Sequence, residues 1–361
     1  MRTRGRHWWL ALGWAGVMGA GLAVAIAATG ANGNSLHQLG PFGPEGPRMR
    51  EQLWLLPSGD PRTPLRATVF RPREDAPMPA GLSAGSGGRR PMVVINHGTS
   101  EWTRHSVSMP VYYWLSRWFI DRGYVVALPQ RRGHGATGGD LIEARGSCAD
   151  PDHYTSGQLA ADDLASAVRY LSSQDFVAPG ETIVVGVSTG GWASLALAAR
   201  SFPGVRAIVN FAGGRGGHAY GERNAVCGEE RLVEAAGRYG SATRIPTLWL
   251  YAGNDSYFGP DLARSMHTAW TRSGGAADLH VFASYGTDGH SLADDAAGWR
   301  LWGGVLSMFI SRLEPAKPSG LPQEASAWSL VDQRRLVAEV GEILSGWWNG
   351  RRRNDQIARD Q

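Results

Sequence analysis

The stretch Thr182-Ile-Val-Val-Gly-Val-Ser-Thr-Gly-Gly191 constrains this chain more than any other. Ile183, Val184, Val185 and Val187 form the continuous apolar run of a strand buried on both faces. The run passes directly into Gly186-Val-Ser188-Thr-Gly190, and Trp192 to Arg200 is then rich in alanine and leucine, as a helix packed on a sheet would be. A serine on so tight a strand-to-helix turn needs small neighbours, because a side chain there would collide with the adjoining strand or helix. Glycine and serine are common turn formers, so the pentapeptide alone says little. The strand before it and the helix after it make Ser188 the expected nucleophile.

A nucleophilic serine needs a base and a group to orient that base. After the apolar strand Thr247-Leu-Trp-Leu-Tyr251 comes Ala-Gly-Asn-Asp255, a carboxylate just beyond a strand end. After Leu279-His-Val-Phe282 comes Gly286-Thr-Asp-Gly-His290, an imidazole in a glycine-rich loop. The expected roles are His290 as base and Asp255 as the group that holds its tautomer. Gly-Asn-Asp-Ser is also good turn chemistry, which is the competing reading of Asp255. Asp288 is the rival acid, but it lies in the histidine's own loop and is read as shaping that turn. His267 and His280 fall inside helical and strand patterns and read as structural.

The third requirement is an oxyanion site. The strand Met92-Val-Val-Ile95 ends in Asn96-His-Gly-Thr-Ser100, where a His-Gly pair lets the backbone turn an N–H toward a developing oxyanion. The amide after the nucleophile supplies the second donor. The residues expected are Thr99 and Thr189, with Gly98 and Ser100 open alternatives to Thr99. A plain strand-ending turn is the competing reading.

These motifs resemble the α/β-hydrolase superfamily, and within it the dienelactone-hydrolase-like and prolyl-oligopeptidase-like esterase branch. The resemblance runs from about Leu53 to Leu313. It covers the His97-Gly98 turn, the loop Gln130-Arg-Arg-Gly-His-Gly135, the serine elbow, Asp255 and His290, in the chain order serine, acid, histidine. It implies an α/β-hydrolase fold, a mostly parallel sheet with helices on both faces. Dienelactone hydrolases use a cysteine nucleophile where this chain has Ser188. Prolyl-oligopeptidase relatives carry a propeller domain, and the stretch before His97 is too short for one.

Length and patterning agree. A chain of 361 residues, 43% hydrophobic, can build one α/β domain of roughly 250–280 residues with extensions. Helices are expected over Val111–Asp121, Gln158–Ser173 and Asp294–Leu313, strands over Tyr124–Leu128 and Val205–Val209, and a hairpin over Gln52–Phe70 around Ser58–Pro61. The segment Glu74–Arg90 reads as a loop. The catalytic domain is taken as 28–313. An insertion at about 212–245 is read as a short cap, with a charged helix from Glu229 to Tyr239. Trp102, Tyr112, Tyr113 and Trp192 are candidate walls of an acyl pocket.

Arg2, Arg4 and Arg6 precede an uncharged apolar run from Trp8 to Ala28, with Ala25-Ile-Ala27 as a cleavage pattern. Residues 1–27 therefore read as a signal peptide, the alternative being an uncleaved anchor that associates with a membrane. Either predicts an exported domain, periplasmic or secreted. In that oxidising setting the two cysteines, Cys148 and Cys227, are candidates for a disulfide, since both belong to loops at the carboxyl edge of the sheet. The formal net charge of +4 falls to +1 once the three arginines of residues 1–27 are removed, and no basic face argues for nucleic acid. The Arg131-Arg132 pair is read as holding its loop rather than a substrate carboxylate.

After a linker from Glu314 to Pro322, residues 336–347 show a helical apolar stripe. Packing on the body, dimer contact and membrane-surface binding compete for it.

The expectation is thus an exported serine hydrolase acting on a small-molecule carboxylic ester, with no metal and no cofactor. A peptidase, an acyltransferase and a non-catalytic binding protein of the same fold are the alternatives.

Overall fold

The computed structural model describes residues 38–79, 87–99, 104–106, 109 and 112–313. The segment 1–27, the extension 314–361, Ser100 and Trp102 lie outside the described residues. Nine strands form one sheet: β1 (Gly40–Phe42), β2 (Gln52–Leu56), β3 (Leu65–Phe70), β4 (Arg90–Asn96), β5 (Val125–Pro129), β6 (Val177–Val187), β7 (Val205–Phe211), β8 (Thr247–Ala252) and β9 (Ala277–Phe282). Their order is β1-β2-β3-β5-β4-β6-β7-β8-β9. The first three strands are antiparallel to their neighbours, and β5, β4, β6, β7, β8 and β9 run parallel. This is the α/β-hydrolase fold.

The apolar strand runs divide by a period of two, as a pleated sheet covered on both faces requires. Val94 of β4, Val184 of β6, and Trp249 and Tyr251 of β8 face one core. Val93 and Ile95, Ile183 and Val185, and Leu248 and Leu250 face the other. The first core is closed by α2 (His153–Ser172), α3 (Thr189–Ala198), α4 (Glu229–Ala242) and α5 (Pro260–Arg272), the second by α1 (Tyr113–Ile120) and α6 (Trp299–Ser311). No helix among the described residues is long and apolar enough to cross a membrane.

Several boundaries differ from expectation for local reasons. Helix α2 begins at His153 rather than Gln158, because the Asp152 carboxylate accepts the Thr155 N–H at 2.9 Å and caps it. Gly157 then lies inside the helix, where a Cβ would press on the Tyr239 hydroxyl and the Trp192 indole. Helix α6 starts at Trp299, after a 3-10 turn over Gly289–Asp294 that carries His290.

The segment 212–245 divides in two. Helix α4 buries Leu232, Ala235, Ala236 and Tyr239 in the first core, so it is the layer helix between β7 and β8 rather than part of a cap. Only the stretch before it runs along the carboxyl edge of the sheet.

Candidate active site

The parallel strands bring their carboxyl ends to one edge, and each expected residue leaves from such an end. Ser188 follows β6 directly, with φ 56° and ψ −125°, and heads α3. Positive φ is rare for a residue with a Cβ and costs backbone strain. Here the surroundings enforce it: the Ser188 N–H donates to the Phe211 carbonyl at 2.9 Å, and the Ser188 carbonyl accepts from Trp192 at 3.1 Å. The small neighbours have direct causes. A Cβ on Gly190 would overlap the carbonyl oxygens of Asn96 and His97, and one on Gly186 would overlap the Gly190 carbonyl. Gly191 faces the Asn210 side chain in the same way.

Asp255 and His290 meet across the ends of β8 and β9. His290 Nδ1 lies 3.0 and 3.2 Å from the two Asp255 carboxylate oxygens. Asp255 is 1% exposed and also accepts the N–H groups of Tyr257 and Phe258 at 2.8 and 3.0 Å, so its own turn locks it. Asp288 accepts from the His290 N–H at 3.0 Å, the Ser256 N–H at 3.1 Å and the Ser256 hydroxyl. Burial pushes the Asp288 carboxyl up, but the Ser256 hydroxyl and these two amides outweigh it and hold the group below its usual range. It shapes the loop, while Asp255 holds the imidazole.

The turn after β4 lies against the serine. A Cβ on Gly98 would sit 3.1 Å from Ser188 Cβ and 3.7 Å from Ser188 Oγ, so this backbone borders the nucleophile closely. The Gly98 N–H donates to the Tyr112 phenol oxygen at 3.1 Å, and burial pushes that phenol's pKa up. Thr189 is the first residue of α3, where an N–H has no acceptor within the helix.

A buried ion pair behind this turn was not anticipated. Arg131 is 1% exposed, and its Nε donates to Glu143 at 2.7 Å. Its Nη1 donates to Asn96 Oδ1 at 2.6 Å and to the His97 carbonyl at 2.5 Å. Its Nη2 reaches Glu143 and Thr99 Oγ1 at 3.1 Å, and Thr189 Oγ1 at 3.4 Å. Thr189 Oγ1 in turn donates to Thr99 Oγ1 at 2.9 Å. One guanidinium thus ties together the turn after β4, the loop after β5 and the head of α3.

Although burial opposes it, the charge of Arg131 holds the Glu143 carboxyl well below the usual carboxylate range. His134, 2.9 Å from Thr99 Oγ1, is lowered to about 4 by burial and by Arg131. His97 is likewise driven well below its ordinary value by burial first, then by Arg131. Arg132 pairs with Asp163 at 2.8 Å, so both arginines of the pair hold their loop.

Ser188 and His290 line one cavity of about 670 Å³, together with Gly98, Thr99, Tyr112 and Tyr257. Tyr113, Met109 and Arg104 add to its wall. Trp192, expected in that wall, is instead 1% exposed in the first core, its indole N–H donating to the His153 carbonyl at 2.8 Å. His267 caps the Ala277 carbonyl from α5, and His280 lies on β9; neither lines the cavity. Cys148 and Cys227 form a disulfide with Cα atoms 4.7 Å apart, tying the segment after β7 to the loop before α2.

Residues 92–312 match the model described as the dienelactone hydrolase family. In three dimensions the chain is similar to Pyrococcus horikoshii acylaminoacyl peptidase, with a TM-score of 0.54 and 14% identity over 74% of this chain and 42% of that one. An acylaminoacyl peptidase in complex with Z-Gly-Gly-Phe-chloromethyl ketone is similar with a TM-score of 0.54 and 15% identity, over 74% and 42%. A Mycobacterium tuberculosis puromycin-hydrolyzing peptidase follows with a TM-score of 0.51 and 19% identity, over 73% and 40%. The chain thus spans less than half the length of these peptidases, and what it shares with them is the fold. No curated protein matches it in sequence.

Proposed function

The chain belongs to the dienelactone hydrolase family, and on that footing we propose that it is an exported serine esterase working through an acyl-enzyme at Ser188. One observation carries the reading: a strained serine and an Asp255-held imidazole border one cavity, beside the turn after β4. His290 Nε2 takes the Ser188 proton as Oγ attacks the ester carbonyl. The oxyanion is received by the amides of Thr99 and Thr189; engagement of the Gly98 amide by Tyr112 favours Thr99 as the turn's donor. Collapse expels the alcohol, which takes the proton back from His290, and water repeats the sequence to free the acid.

Amide hydrolysis is the second reading, favoured by the names of the structural neighbours, two acylaminoacyl peptidases and a puromycin-hydrolyzing peptidase. Export rests on the arginine-flanked apolar segment at residues 1–27 and is supported by the Cys148–Cys227 disulfide. The catalytic domain is taken as 28–313, and 314–361 as an appended extension.

The test is fluorophosphonate labelling of the purified protein and of Ser188→Ala, with p-nitrophenyl acetate and butyrate and the matching anilides as substrates. Labelling and ester turnover that both vanish in Ser188→Ala support the reading. Anilide turnover comparable to ester turnover would move the amidase reading forward, and a folded wild type that neither labels nor turns over would refute catalysis by Ser188.

A further inference from the structure

His290 is the end of a stack of three rings. Tyr257 lies over its face, with centroids 4.2 Å apart and planes inclined by 28°. His218 lies over Tyr257 at 3.6 Å and 10°. Two rings this close to a third must occupy its opposite faces, so Tyr257 is clamped between the two histidines.

The clamp is built, not incidental. His218 adopts φ 57° and its neighbours Tyr220 and Asn224 adopt φ 56° and 59°, left-handed conformations that side-chain-bearing residues rarely take. This segment is pinned by the Gly217–Val226 bridge, by the Asn224 N–H donating to the Ser256 carbonyl at 2.7 Å, and by the disulfide at Cys227. Gly217 itself approaches Tyr257 closely: a Cβ there would sit 3.0 Å from Cδ1 of the tyrosine ring and 3.1 Å from its Cβ. The outer ring is also oriented. The Ser256 hydroxyl donates to Asp288 and therefore accepts from His218 Nε2–H at 2.9 Å. Asp288 takes the His290 N–H as well, so one carboxylate fixes both ends of the stack.

We propose that Tyr257 and His218 are positioning residues for the reaction, the tyrosine face steadying the His290 ring and stabilising it when it carries the Ser188 proton. The inference rests on the serine-hydrolase reading above. When the proton arrives, Asp255 meets the charge at Nδ1, and the electron-rich face of Tyr257 meets it from above. His218 keeps Tyr257 from turning away. Contacts that strengthen only with the charge act on kcat and not on KM.

The experiment compares kcat and KM on p-nitrophenyl butyrate for Tyr257→Leu, Tyr257→Phe and His218→Asn, with melting curves for each. Asparagine removes the outer ring while tolerating the left-handed backbone. Tyr257→Leu is expected to lose about 10-fold in kcat, the equivalent of about 1.4 kcal/mol at the transition state, with KM within about 2-fold. Tyr257→Phe should recover at least half of that loss, and His218→Asn should lose about 3-fold in the same direction.

Tyr257→Leu with unchanged kcat, or with a raised KM alone, overturns the proposal and leaves Tyr257 as cavity wall. Phenylalanine as poor as leucine overturns it too, since the hydroxyl and not the ring face would then matter. If Tyr257→Leu does not fold, an unchanged kcat in His218→Asn is the refuting result. All of these presuppose a wild type whose turnover Ser188→Ala abolishes, so failure of the hydrolase reading shows separately.

Discussion

Replacing Glu143 by glutamine should unsettle the enzyme in two separable ways. Arg131 is 1% exposed, and the Glu143 carboxylate takes its Nε at 2.7 Å and its Nη2 at 3.1 Å. The remaining donors are directed at Asn96, the His97 carbonyl, Thr99 and Thr189. Glutamine keeps one carbonyl acceptor but not the charge, leaving the guanidinium buried without a counter-ion. Breaking a buried pair from one side costs about 3–5 kcal/mol. For a domain of this size that corresponds to a melting temperature lower by about 6–10 °C.

The second effect is on rate. Thr99 Oγ1 accepts from Arg131 and donates to Glu143 at 3.1 Å, and Thr189 Oγ1 donates to Thr99. Loosening this arrangement frees the two residues proposed to supply oxyanion amides, so kcat should fall by at least about 10-fold, short of the roughly 100- to 1,000-fold of losing a donor outright. Calorimetry and ester kinetics on Glu143→Gln and on the double variant Arg131→Met/Glu143→Leu separate the two effects. The double variant should regain most of the stability, because no charge is left buried, yet remain slow. A Glu143→Gln protein melting within 2 °C of wild type, or a double variant with full kcat, would refute the reasoning.

Two further outcomes follow from the same architecture. The Cys148–Cys227 bridge spans a sequence separation of 79, so Cys148→Ser/Cys227→Ser should lose about 2–5 kcal/mol of stability, read as a lower melting temperature that reductant reproduces in the wild type. His134 is 3% exposed and held at about 4 in the fold against 6.5 when unfolded, so above pH 6.5 it is neutral in both states and contributes no pH dependence. As pH falls from 6.5 to 4 the unfolded chain takes the proton first, and stability drops by about 3 kcal/mol. Urea unfolding should show a shallower slope in His134→Gln than in the wild type, the variant keeping only the share of the likewise depressed His97 and His153, and parallel slopes would count against it.

What could be read from the chain beforehand, and what could not, divides by how local the physics is. The elbow was legible because the continuous apolar strand run, the serine and its small neighbours all lie within ten residues, and each glycine has a steric cause visible in the fold. Asp255 and His290 were legible because each follows an apolar strand, and parallel strands deliver their carboxyl ends to one edge. Arg131 and Glu143 carry no such mark. Both lie in loops without periodicity, and an arginine's role turns on whether an acid 12 positions away is folded onto it away from water. The early start of α2 was hidden for the opposite reason: Gly157 lies inside the helix to make room for Tyr239 and Trp192, contacts set by α4 and α3. The same reason moves Trp192 from cavity wall to core, since β6 and α3 fix its direction only once the helix is seated on the sheet. The ring stack is the extreme case. Its three members come from the segments after β7, β8 and β9, and the left-handed residue at the outer end is His218 itself rather than one of the glycines around it. Such a turn persists only because the bridge, the disulfide and the Ser256 contacts together over-determine it. Parts of the site assembled from distant loops therefore become visible only when those loops are seen to meet.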